Sequence, residues 1–104
     1  MTNQDRTIVI YEVHLTINKD IFDEYYHWLV EHIEKMLFIR GFCHAEIAED
    51  THDKQVKRYT VRYRVSSEED LNQYFANQAT AMREEGLKKF GNQFSATRKI
   101  SDHA

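Results

Sequence analysis

The sequence contains no proline and, in 104 residues, only three glycines: Gly41, Gly86 and Gly91. Because proline and glycine mark most turns, their scarcity predicts long, uninterrupted helices and strands. A single cysteine, Cys43, excludes an intrachain disulfide. We therefore expect a cytoplasmic protein, since thiols stay reduced in that compartment.

Long apolar runs and an excess of positive charge are also missing. No stretch approaches the ~20 apolar residues of a membrane-spanning helix. The first residues, MTNQDR, are polar, so a signal peptide is not expected either. The net charge is −3, whereas proteins that bind nucleic acid usually carry clustered lysine and arginine. Neither a membrane nor a nucleic acid is an expected partner.

The apolar residues that are present follow two different periods along the chain. Alternation with period two predicts strands, and spacings of three and four residues predict amphipathic helices. Four strands are predicted, at Ile8–Ile17, Phe42–Asp50, Val56–Val65 and Phe94–Ile100. One helix, Ile21–Ile39, follows the first strand, and a second, Ser67–Lys89, follows the third. We expect one domain over residues 1–104, with frayed ends at 1–6 and 101–104.

This order of elements is typical of the ferredoxin-like βαββαβ fold, an α+β architecture. It predicts a four-stranded antiparallel sheet in the order 4-1-3-2, with two helices on one face. For Ala45 and Ile47 to face the helices, Ala45 should lie opposite Val61. That register requires an irregularity within residues 51–55 and places Cys43 on the core side as a small buried residue.

Two helices cover only one face of such a sheet, so the other face is open to solvent or to a partner. The candidate ligand-binding residues on this face, with Arg62 opposite His44, are Glu12, His14, His44, Arg62 and Arg64. Glu46 and Arg58 should share the face. One interpretation is a solvated face with weak cross-strand ion pairs. The alternative is a homodimer formed by two such faces, with a small anionic molecule bound between the arginines.

Three further candidate ligand-binding residues belong to the helix side. His32 and Trp28 flank the apolar stripe of the first helix, where a histidine is more often a half-buried packing residue than a catalyst. Arg98 has the parity of residues that face the helices, so it needs a partner, either a helix carboxylate or a ligand. No metal site is expected, because His27 and Glu31 share a helix face without a clear third ligand. No cofactor motif is present.

Three segments resemble a known family: EHIEKMLFIRGF at 31–42, RYTVRYRVSSEEDLNQY at 58–74 and EGLKKFGNQFSATR at 85–98. They are similar to the bacterial DUF4286 family of small proteins of unknown function. The resemblance points to His32, Phe90, Gly91, Phe94 and Arg98, and it implies a ferredoxin-like fold of the dimeric α/β-barrel type. It implies no activity.

Two functions remain open on the sequence alone, and no catalytic residue is assigned. The first is a homodimer built on the open sheet face that binds a small anionic molecule. The alternative is an enzyme similar to the cofactor-independent monooxygenases or isomerases of the dimeric α/β-barrel type, which rests on analogy of fold. The enzyme would require an apolar pocket lined by His32, Trp28 or Arg98.

Overall fold

Four strands and three helices make up the part of the chain that the structure, a computed structural model, describes: residues 8–50 and 55–102. In chain order they are β1 (Val9–Asn18), α1 (Phe22–Met36), β2 (Phe42–Asp50), β3 (Val56–Val65), α2 (Glu68–Asn77), α3 (Ala79–Phe90) and β4 (Phe94–Asp102). Short 3-10 turns at Lys19–Ile21 and Gly91–Gln93 precede α1 and β4. The fold is therefore α+β.

The strands form one antiparallel sheet in which β1 pairs with β3 on one side and β4 on the other. Because β2 pairs with β3, the order is β2-β3-β1-β4. This is the same succession of neighbours as 4-1-3-2, read from the other edge. β4 continues through Ser101 to Asp102, which pairs with Val9. Residues 1–6 and 103–104, for which fraying was expected, lie outside the described residues.

The register of β2 differs from the prediction, because a bulge lies at Cys43. Ala45 lies opposite Tyr63 rather than Val61, and the pairing shifts between Phe42 and His44. The bulge turns Phe42 into the core, where the centroids of its ring and of the Tyr74 ring are 5.1 Å apart. Cys43 is left exposed, so the prediction of a buried cysteine was wrong. Most of the segment 51–55, where we expected the irregularity, lies outside the described residues.

The first helix is shorter than predicted. It begins at Phe22 and ends at Met36 rather than Ile39. The 3-10 turn before it is capped by Asn18, whose side chain accepts a hydrogen bond from the backbone N–H of Asp20. Gly41 lies in the turn between α1 and β2 with φ +90°, a left-handed backbone conformation that favours glycine. A Cβ at Gly41 would also lie 2.5 Å from the Cβ of Asp70, so glycine is required for space as well as conformation.

The predicted second helix is two helices, α2 and α3, separated at Gln78. The SSEED run at 66–70 predicted a cap at either Ser66 or Ser67. Ser67 caps α2 by accepting a hydrogen bond from the N–H of Asp70 at 3.1 Å. Along α2 the buried residues are Leu71 and Tyr74, and along α3 they are Ala79, Gly86 and Phe90. Gln78, with φ −133°, interrupts the helical backbone between the two helices.

All three helices pack on one face of the sheet, and the core lies between the two layers. The predicted alternation of β1 and β3 is confirmed: Tyr11, Leu15, Val61 and Tyr63 are buried. The helices do not cover β4 fully, since Ile100 is 50% exposed. No helix in the described ranges is long and apolar enough to cross a membrane.

Candidate functional site

A cavity of about 220 Å³ lies between the helices and the sheet. Residues of β1, β3 and β4 form its floor, and residues of α1, α2 and α3 form its walls. Most of the lining is apolar or aromatic, including Tyr11, Tyr25, Tyr63, Tyr74, Met82 and Phe94. The exposed side chains Leu87, Ser95 and Arg98 also line it, so they mark the side on which it reaches solvent. The structure thus contains an apolar pocket with an opening beside β4.

Three of the predicted ligand-binding residues line this cavity together: Trp28, His32 and Arg98. Trp28 and His32 lie one turn apart on α1, and their rings stack with centroids 4.7 Å apart. Gly86 of α3 allows this arrangement, because a Cβ at that position would lie 2.9 Å from the Cη2 atom of Trp28. Gly86 therefore provides space for the cavity wall.

His32 is neutral at physiological pH. Burial lowers its pKa to about 4; Glu85 opposes the decrease, and Lys35 and Arg98 add to it. The Nδ1 atom of His32 is buried and has no hydrogen-bond partner within the described ranges. A neutral imidazole with an unused nitrogen can donate or accept one hydrogen bond, depending on its tautomer. A ligand in the cavity could supply the missing partner.

Arg98 lies at the rim of the cavity and is exposed, opposite Val13 in the sheet. The helix carboxylate expected as its partner is not found: among residues 8–50 and 55–102, Arg98 makes no ion pair. Its positive charge contributes to the lowered pKa of His32. The structure therefore places Arg98 in the neighbourhood of His32 rather than in a buried ion pair.

The other five predicted residues lie on the open face of the sheet, on the side opposite the cavity. Glu12 is central among them. Its carboxylate lies 2.8 Å from the Nε atom of Arg62 and 3.1 Å from the Nε2 atom of His14. The hydrogen bond from Arg62 lowers the pKa of Glu12, despite partial burial. Glu12 therefore stays ionised and holds Arg62 in place.

Arg62 lies on β3, between β1 and β2, and its side chain also approaches β2. Its Nη1 atom lies 3.9 Å from Glu46, which in turn lies 3.5 Å from His44. Because of the bulge, Arg62 is opposite Glu46, and His44 is opposite Arg64, so the predicted pairing of Arg62 with His44 was wrong. His14 and His44 are on strands separated by β3 and do not meet. The described residues include no group of three or more side chains that could hold a metal ion.

The sequence interpretation missed one polar residue of the cavity, Arg83. It follows Met82 on α3 and lines the pocket with a buried Nε atom that has no hydrogen-bond partner among the residues described. It lies on the buried face of α3, at helical spacing from Ala79, Met82 and Gly86. The predicted apolar stripe included Ala79 and Met82, but it was traced through apolar residues and passed over the neighbouring Arg83.

Solved structures similar to this chain share its fold at low sequence identity. A dimeric ferredoxin-like protein from an uncultured marine organism has a TM-score of 0.74 at 10% identity, over 94% of this chain and 96% of that chain. SnoaB, a cofactor-independent oxygenase from Streptomyces nogalater, has a TM-score of 0.64 at 8% identity, over 94% of each chain. The de novo designed protein Foldit4 has a TM-score of 0.60 at 12% identity, over 93% of this chain and 99% of its own. These similarities establish a ferredoxin-like fold, which by itself specifies no function.

No curated protein matches the chain. The family model described as "Domain of unknown function (DUF4286)" matches residues 8–103, which includes all three segments that carry the resemblance noted in the sequence. The chain therefore belongs to the DUF4286 family.

Proposed function

We propose that this protein binds a small, largely apolar molecule in the cavity between the sheet and the helices. The observation that carries the proposal is the cavity itself, about 220 Å³ in volume, with His32 and Arg83 presenting buried, unpartnered nitrogens among apolar walls. An apolar cavity with a few unsatisfied polar groups is the usual form of a small-molecule site.

The open face of the sheet is a weaker candidate for the ligand. A shallow hollow of about 290 Å³ lies there, lined by Glu12, Glu46, Arg62 and Arg64 among others. Its central arginine is already neutralised by the two carboxylates, so an anion would have to displace protein ligands. The unpartnered polar atoms on the helix side have no such competitor, and they favour the cavity.

The experiment uses indole as a neutral probe that matches the apolar walls. Indole added to ¹⁵N-labelled protein should shift the indole N–H resonance of Trp28, the only tryptophan in the chain. We expect a dissociation constant of about 1 mM or tighter. The variant Ala96→Leu fills part of the cavity and should weaken binding while the protein keeps its cooperative thermal transition. An unshifted Trp28 resonance at saturating indole would contradict the proposal.

We further propose that the open face forms a homodimer. Support comes from its mixed charges, since Arg62 and Arg64 of one copy could meet Glu12 and Glu46 of another across a two-fold axis. The similar marine protein is described as dimeric. A dimer of two such sheets would bury the face that the helices leave open.

Sedimentation at tens of micromolar tests the dimer. The variant Arg62→Glu places a third carboxylate beside Glu12 and Glu46 and should yield monomers. Lys88→Glu, the same charge change on the exposed side of α3, should leave the dimer intact. A wild-type monomer, or dimers in both variants, would contradict an interface on the open face.

The exposed thiol of Cys43 favours a reducing compartment, and we propose the cytoplasm.

A second candidate function is an enzyme of the cofactor-independent oxygenase type. Trp28, His32 and Arg98 line the cavity as that hypothesis required, and the similar protein SnoaB is described as such an oxygenase. With a pKa of about 4, His32 is neutral at pH 7 and a weak base, so it would orient a substrate through a hydrogen bond rather than remove its proton. Oxygen uptake with 1-naphthol above the rate without protein, lost in His32→Gln, would support it. Equal rates with and without protein would exclude this reaction with that substrate.

A further inference from the structure

Arg83 is a charged side chain in a largely apolar wall. Its Nη2 atom lies 3.4 Å from the hydroxyl oxygen of Tyr11, a long hydrogen bond, and its guanidinium lies 6.0 Å from the centre of the Phe75 ring. Both contacts hold the side chain in one orientation. They leave the Nε–H without an acceptor, although that atom is closed off from solvent.

An arginine keeps its charge at any ordinary pH, so a sealed guanidinium N–H without an acceptor is destabilising. No carboxylate in the described ranges pairs with Arg83. The carboxylate of Glu85, two residues along α3, lies 3.2 Å from the Nζ atom of Lys35. Arg83 also acts on the cavity wall: burial raises the pKa of Tyr74 to about 12, and the charges of Arg83 and Arg98 oppose that increase. Among the described residues no carboxylate pairs with Arg83 or Arg98, and Glu85, whose charge acts on His32, is paired with Lys35.

Arg83 and Arg98 both line the cavity, but their surroundings differ. Arg98 is exposed, so water screens its charge and already solvates its N–H groups. Arg83 is half-buried, and water does not reach its Nε atom. A ligand carboxylate would gain more from the guanidinium of Arg83 than from that of Arg98, because the bond would form in a medium of lower dielectric.

We propose that Arg83 is the residue that recognises the ligand of this cavity, and that the ligand is a flat, apolar molecule carrying a carboxylate. The two oxygens of a carboxylate match the fork of a guanidinium. The apolar body would lie among the aromatic side chains, beside the Trp28–His32 stack. This inference rests on the proposed function, because it requires that the cavity binds a small molecule.

The volume of the cavity limits the size of the apolar body. A cavity of about 150 Å³ in another protein holds benzene, and sites for drug-sized ligands begin at about 300 Å³. At about 220 Å³, this cavity suits one or two rings. We therefore choose as probes 2-naphthoate and its neutral, nearly isosteric amide, 2-naphthamide.

Titration of both probes into the full chain, followed through the Trp28 indole resonance and by calorimetry, tests the inference. We expect naphthoate to bind the wild-type protein roughly 10-fold or more tightly than naphthamide, as a charge-assisted hydrogen bond predicts. In Arg83→Gln this ratio should fall to about one, while naphthamide affinity stays nearly the same. Lys88→Gln removes the same charge from an exposed position of α3 and should keep the wild-type ratio.

The outcomes separate this inference from the proposed function. If neither probe shifts the Trp28 resonance, the cavity is not a binding site and both proposals fail. If both probes bind equally to the wild-type protein, or if Arg98→Gln rather than Arg83→Gln removes the preference, the cavity binds ligands but Arg83 is not the recognition residue. Thermal melts of each variant identify any loss that is due to unfolding.

Discussion

The indole of Trp28 and the imidazole of His32 stack on successive turns of α1, with their planes inclined by 19°. The stack covers one face of the imidazole, and the cavity wall removes most remaining contact with water. Desolvation is accordingly the largest cause of the lowered His32 pKa. A histidine in this position stabilises the fold only while it is neutral.

Stability should therefore decrease as the pH falls. The pKa of His32 is about 4 in the folded protein, against 6.5 as its ordinary value, so between these values the unfolded chain binds more protons. The contribution is complete above pH 6.5 and is lost towards pH 4. Between pH 7.5 and 5.0 we expect a loss of about 2 kcal/mol from this residue.

Urea unfolding of two matched variants isolates this effect. His32→Gln should show a smaller decrease in unfolding free energy over that range, whereas His27→Gln should behave as the wild type. His27 is on the same helix but exposed, with its Nδ1 atom 3.1 Å from the carbonyl oxygen of Asp23. Identical pH dependence in wild type and His32→Gln would show that His32 is not the group responsible.

The contact of Gly86 with Trp28 leads to a second prediction. Alanine is favoured over glycine in a helix by about 1 kcal/mol, but the added methyl group would lie 2.9 Å from Trp28 Cη2 and 3.3 Å from Phe94 Cζ. Overpacking of this kind costs about 1–3 kcal/mol. We expect Gly86→Ala to be destabilised by about 1 kcal/mol and to change the fluorescence emission of Trp28.

Gly91→Ala is the control for that change. Gly91 has φ +59° and ψ −132°, and no atom of the described residues lies within 4 Å of a Cβ built there. The substitution should destabilise the protein through backbone strain, by about 1–3 kcal/mol, without altering Trp28 emission. A shifted emission in Gly91→Ala, or an unshifted one in Gly86→Ala, would show that Gly86 does not position the indole.

The parts of the fold that the sequence predicted depend on local periodicity, and the parts it missed depend on contacts between distant residues. The alternation in β1 and β3 and the cap at Ser67 follow from neighbouring residues. The bulge at Cys43 exists because Phe42 packs against residues of β1, β3 and α2, which no local pattern reveals. The break at Gln78 likewise has no proline or glycine to mark it. Arg83 was missed because the stripe of that helix was traced through apolar residues only.

The bulge leads to a third prediction, on two phenylalanines four residues apart. Phe42 is 4% exposed and its ring packs against those of Tyr11, Tyr63 and Tyr74, whereas Phe38 is 93% exposed. Phe42→Ala should cost about 3–5 kcal/mol of unfolding free energy. Phe38→Ala should change it by less than about 0.5 kcal/mol. Comparable losses in the two variants, measured by urea unfolding, would contradict the observed register of β2.

Arg98 gives a fourth prediction, which separates a structural arginine from one that acts on the cavity. Since Arg98 is exposed and makes no ion pair with a described residue, Arg98→Ala should change the unfolding free energy by less than about 0.5 kcal/mol.

The charge of Arg98 does contribute to the lowered pKa of His32. Burial is the largest cause, Lys35 also lowers the pKa, and Glu85 opposes the decrease. The His32 pKa, measured by NMR, should therefore rise in Arg98→Ala. Lys99→Ala should leave it unchanged, because Lys99 lies opposite Glu12 and faces away from the cavity. A large loss of stability with an unchanged His32 pKa would instead make Arg98 a structural residue.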